Sequence, residues 1–161
     1  MRQRDAQRKL VYEAEQFART LFTRAAQCNS RTIDFFGSRL TLPPEARFSG
    51  VESVQRYVDR VLALPAVTAR WPQAGPVVVR ARKGDTAAHY CDGVIAIPEH
   101  RPDSPFLREI SVTHEVAHHL APAGSAHGPD FVATHCELLD VVMGPEAGHV
   151  LRVLFARHGV R

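Results

Sequence analysis

Cysteine is scarce in this sequence, and what there is does not pair up. Cys28, Cys91 and Cys136 are far apart, odd in number and form no Cys-x-x-Cys. That argues against a disulfide framework and against a cysteine-based zinc site, and small buried or half-buried thiols are expected instead. No apolar run approaches the roughly 20 residues that span a bilayer. The stretch from Met1 to Lys9 is strongly polar and no apolar signal region follows it, so a cytoplasmic, reducing compartment is expected and no membrane partner. A large surplus of one charge is also missing. Lys and Arg number 20 against 17 Asp and Glu, for a net charge of +3, which permits acidic partners but is too mild to indicate nucleic-acid binding by itself. Only Arg80, Arg82 and Lys83 cluster, as a solvated strand face would. Repeats, low-complexity tracts and linkers are not found.

What is present suits a folded domain. A content of 45% hydrophobic and 23% charged residues over 161 positions is ordinary for a globular chain and enough for a core. The simplest division is one domain over 1–161, with an amphipathic helix in the first 30 residues packed on it. That helix is expected from Arg4 to Gln27, because Leu10, Val11, Ala14, Phe17, Leu21, Phe22 and Ala25 recur at three- and four-residue spacing. Arg8, Glu15, Arg19 and Arg24 make its solvent face, and the apolar face is expected to cover the domain's own sheet.

Thr32 to Leu42 reads as a β-hairpin turning at Gly37-Ser38. Ser49-Gly50-Val51-Glu52 reads as a capping box opening a helix that Pro65 closes. The segment 66–76 is then loop, with Trp71 at the core's edge. Val77 to Arg82 and Gly93 to Ile97 are strand-like, separated by a turn at Lys83-Gly84-Asp85. The second strand directly precedes the next helix, where it can border a cleft and pair with an extended substrate. Ser104-Pro105 starts that helix, and Pro122 and Gly124 stop it. Two more helices follow, from Gly128-Pro129 and from Pro145 to His158.

The helix after Ser104 carries the most specific pattern in the chain, His114-Glu115-Val116-Ala117-His118. Residues four apart on a helix differ by about 40° in direction, so the two imidazoles can reach one metal ion. Glu115 lies about 100° round from His114, close enough to act on a water beside the metal without ligating it. This is the H-E-x-x-H pattern of zinc hydrolases, with the Glu as general base. The chain has nine His and nine Glu, so three fixed positions rarely match by chance. Ile110, Val116, Ala117 and Leu120 supply an apolar stripe that packs the helix in place.

A catalytic zinc takes three protein ligands and keeps a position open. His127 is the first candidate for the third, nine residues after His118 and beyond a loop rich in Ala, Pro and Gly, with Gly128 to permit a sharp turn. Glu137 is the second and His135 the next, both on the following helix. His119 points about 100° away from His118 and is expected to face elsewhere. His89 and His100 have no helical partner and read as ordinary surface or loop histidines. Tyr90 and His89 are the weak candidates for a second oxyanion donor.

His114-Glu115-x-x-His118 followed by His127-Gly128-x-x-Phe131 resembles the H-E-x-x-H…H-G-x-x-F signature of SprT-like zincin metallopeptidases. The longer arrangement is similar to a small actinobacterial family assigned as metallohydrolases, whose substrate is not established. The similar stretches are 57–62, 93–98, Glu115 to Pro122 and His127 to Ala133. The resemblance implies a zincin-like α+β fold, a small mixed sheet packed against the active-site helix and further helices. It also implies Zn2+ on His114, His118 and His127, Glu115 as base, and a peptide or protein substrate. No zinc-ribbon or nucleic-acid-binding appendage of the kind some SprT-like proteins carry is found, so a DNA-linked role does not transfer. Two other classes stay open: a zinc hydrolase of non-peptide amides or esters, and a binding module with a closed four-ligand zinc, His119 or His135 being the extra ligand.

Overall fold

The computed structural model describes residues 5–84, 86–99 and 101–161. Arg4, Asp85 and His100, each assigned above, lie outside them. The chain is α+β, and its contacts divide it into two compact units, one of residues 46–121 and one of 1–45 with 122–161. No helix among the described residues is long and apolar enough to cross a membrane.

In the unit formed by 1–45 and 122–161, helix α1 spans Arg8–Gln27 and packs on α6, Pro145–Arg157, and on strand β1, Thr32–Phe35. Helix α5, Pro129–Val142, packs on α6. Proline at the first position of both α5 and α6 fits, since its fixed φ suits a helix start and its missing N–H is not needed there. The buried face of α1 departs from expectation at two residues. Phe17 is 43% exposed, and Glu15, assigned to solvent, is 1% exposed.

Strand β1 pairs antiparallel with β2, Ser38–Thr41, in the register Phe35↔Ser38. The two-residue turn is therefore Phe36-Gly37, one residue earlier than expected. Both have positive φ, 48° and 84°, as the hairpin turn matching strand twist requires. Phenylalanine is a poor residue for that conformation. Contacts hold it there: its ring meets those of Phe35 and Phe17, and the Arg157 guanidinium lies 3.8 Å from its centre.

The unit of 46–121 contains α2, Val51–Ala63, and the short α3, Pro65–Arg70. Pro65 ends one helix and begins the next, so the loop expected over 66–76 is helical in its first part. The capping of α2 is also different from the Ser49/Glu52 box expected. Ser53 Oγ accepts from the backbone N–H of Ser49 and Gly50, and Glu99 Oε2 accepts from that of Val51 at 2.7 Å. A carboxylate at a helix N-terminus both fills orphan donors and meets the positive end of the dipole.

The sheet of this unit has the order β3-β5-β4. Strand β3, Val78–Ala81, is parallel to β5, Val94–Ile97, and β4, His89–Cys91, is antiparallel to it. The three residues of β4 were too few to announce a strand. Their presence corrects one reading: β5 is central, flanked on both sides, and its main chain is not open to a substrate. The outer edge of β3 is capped by Gln55 of α2, which donates to Val77 O and accepts from Val79 N–H, as a neighbouring peptide group would.

Helix α4, Glu109–Leu120, packs against β4 and α2. Ser104 does cap a helical turn, accepting from Phe106 N–H, but that turn is 3₁₀ and ends at Leu107. Arg108 is extended and bridges to Arg47, so α4 starts five residues later than Ser104. Buried Glu109 fixes this start, accepting from Ala46 N–H and from the Tyr57 hydroxyl, both at 2.7 Å. Glu109→Ala strands both donors and is expected to lower stability by about 1–3 kcal/mol. Chemical denaturation measures this, and an unchanged midpoint would show that the carboxylate does not set the helix start.

Candidate metal centre

Ten of the twelve residues of α4 are buried, from Glu109 to Ala117 and again at Leu120. A helix sealed this far round has few places for polar side chains, and burying one without a partner is costly. Even so, Thr113, His114 and Glu115 are buried, at 0%, 2% and 4% exposure. Thr113 is accounted for by its own helix, since its hydroxyl donates to the carbonyls of Glu109 and Ile110. His114 and Glu115 belong to the motif.

His114 and His118 face each other as the four-residue spacing requires. Their Nε2 atoms are 3.2 Å apart and the rings meet nearly at right angles, 73°. Two imidazole lone pairs repel at that distance unless a proton or a cation lies between them. Two nitrogens on one tetrahedral zinc, each about 2.0–2.1 Å from it, stand about 3.3 Å apart. The observed separation thus has the span of a chelating pair. His118 lies in the last turn of α4, where the helix dipole also favours a cation.

The candidate ligands divide between the two units. His114 and His118 belong to the unit of 46–121, and Glu15, His127 and His135 to the unit of 1–45 with 122–161. His127 is 5% exposed, and its Nδ1 pairs with the carboxylate of Asp5. His135 is wholly buried on α5, its Nδ1 3.2 Å from Glu15 Oε1. Glu137 lines a cavity of about 310 Å³ with Cys136, Arg152, Phe155 and Val160.

His119 faces away, as its helical position suggested. Its Nδ1 shares a hydrogen bond with the Tyr90 hydroxyl at 2.9 Å and its Nε2 bonds Gly75 O at 2.8 Å. With both ring nitrogens engaged, it is not a fourth ligand. The same geometry removes Tyr90 from the oxyanion candidates, because its hydroxyl also accepts from Gly93 N–H. His89 is exposed on β4.

The loop between α4 and α5 turns through Gly124 and Ala126, both at positive φ. Gly128, expected to provide the unusual conformation, has an ordinary φ of −77°. Glycine matters there for space: a Cβ would stand 3.0 Å from Ser125 O. The cysteines take no part. Cys28 and Cys91 are exposed, against expectation. Cys91 is raised chiefly by its hydrogen bond to Asp92. Burial pushes the Cys136 thiol up to about 12, where it is inert.

Two residues of this neighbourhood escaped the sequence reading. Glu15 had a signal, because it shares the spacing of Val11, Ala18 and Phe22 on α1 and so lies on their buried face. Asp5 had none, being a single acidic residue 122 positions from its partner. No protein family, curated protein or solved structure matches this chain.

Proposed function

We propose that this protein is a zinc-dependent hydrolase of the SprT-like, zincin type, acting on peptide or amide bonds with Glu115 as general base. The observation that carries the reading is the chelating span of His114 and His118 on the helix that also buries Glu115. His127 is the third ligand, supported by its spacing from His118 and by the carboxylate on its Nδ1. The donor set, three neutral imidazoles, suits zinc and leaves one position for water. Zinc held there would lower the pKa of a bound water to about 7 and polarise a carbonyl oxygen.

The chain's own contribution is proton transfer. Glu115 accepts a proton from the attacking water as the carbon–oxygen bond forms, then delivers it to the leaving nitrogen as the carbon–nitrogen bond breaks. A closed, purely structural zinc is disfavoured by His119, whose two ring nitrogens are taken. Strand β4, which lies at the sheet's edge and against α4, is the strand open to an extended substrate in place of β5.

Zinc-loaded protein should cleave members of a fluorogenic peptide library, lose that activity to a chelator and regain it with zinc. Cleavage that survives complete removal of metal would exclude the mechanism. Turnover of small amides or esters with no peptide cleaved would move the substrate class. The ligand set has its own test: His127→Ala should weaken zinc binding strongly, and Glu137→Ala should leave it near normal. A chromophoric chelator in competition reads both variants, and the opposite ranking would replace the three-histidine site by a two-His, one-Glu site.

A further inference from the structure

We infer that Asp5 is a positioning residue for His127, fixing the imidazole in the tautomer that offers Nε2 to a metal; this rests on the metal site proposed above. The Asp5 carboxylate sits on Nδ1 of His127. A carboxylate only accepts, so Nδ1 carries the hydrogen, and in the neutral imidazole Nε2 then carries the lone pair. A negative charge behind the ring also makes Nε2 a stronger donor to a metal.

The ring has little freedom to do otherwise. Phe131 meets it edge-on with centroids 5.0 Å apart, and Tyr12 lies tilted at 5.6 Å. The backbone is held separately: Gln7 Nε2 donates to His127 O at 3.0 Å and to Arg161 O at 2.7 Å, while Gln7 Oε1 accepts from Arg161 N–H at 2.6 Å. Ala126, just before, is held at a φ of 45°, a conformation that alanine adopts only under constraint. One short segment therefore sets both the ring and the carbonyl of His127, through different side chains. That separation allows a structural role to be told from a positioning one.

Asp5→Ala, Asp5→Asn and Gln7→Ala distinguish them. Nitrogen-15 NMR of the imidazoles in zinc-free, mildly alkaline protein reports which ring nitrogen is protonated. Asp5→Ala should move His127 from the Nδ1–H form toward the Nε2–H form and raise the zinc Kd about 10–100-fold. Asp5→Asn keeps a neutral acceptor and should fall between Asp5→Ala and wild type. Gln7→Ala should lower the melting temperature yet keep the tautomer, with zinc Kd within about threefold of wild type. If Asp5→Ala and Asp5→Asn lower only the melting temperature, leaving tautomer and Kd as in wild type, Asp5 is a staple and the inference is wrong. If wild type itself takes up no zinc, the metal reading fails separately. The tautomer measurement, made without metal, still decides whether Asp5 sets His127.

Discussion

Glu115→Gln is expected to hold zinc as wild type does and to lose hydrolysis by about 10²–10⁴-fold. The glutamine amide matches the carboxylate in size and polarity, so the packing of a residue only 4% exposed should survive. It cannot accept a proton, which is the one function assigned to Glu115. Zinc content and turnover measured on the same preparation separate the possible results. Near wild-type turnover would mean that another group is the base. Loss of zinc would mean that Glu115 holds the site together, and its role in catalysis would then have to be argued afresh.

His114→Ala and His118→Ala are each expected to abolish stoichiometric zinc and, with it, all metal-dependent turnover. Each substitution leaves a single imidazole on α4, and the chelating span of 3.2 Å disappears. The two should differ in their effect on the fold. His114 is 2% exposed, so its truncation opens a cavity in the core and lowers stability as well. His118 is half-buried and can be shortened at smaller cost, which makes it the cleaner variant. Acidification should mimic both, because a protonated imidazole cannot ligate. Metal analysis after gel filtration reads these outcomes. Stoichiometric zinc on either variant would place the ion elsewhere.

The motif was legible because its geometry is local. A spacing of four on a packed helix fixes how two imidazoles meet whatever the rest of the chain does, and α4 realises it at Nε2 of both residues. The longer helices were legible for the same reason, although groups from outside the element cap α2 and set the start of α4. Glu99 caps α2 from 48 positions away and Glu109 is bonded by Ala46 and Tyr57, and no local pattern announces such partners. Strand β4 was missed because three residues carry too little alternation, and its presence decides which strand is central. Phe36 shows the reverse case: turn chemistry favoured Gly37-Ser38, and aromatic and cationic contacts from Phe17, Phe35 and Arg157 overrode it. Asp5 is the extreme, a residue whose meaning exists only once His127 is beside it.

The most direct test of the zinc site is a crystal structure of zinc-loaded protein with diffraction recorded at the zinc absorption edge. One anomalous peak per chain is expected at the Nε2 atoms of His114, His118 and His127, with an oxygen that does not belong to the protein completing the shell. No peak at these histidines, or a shell closed by four protein ligands, would contradict it.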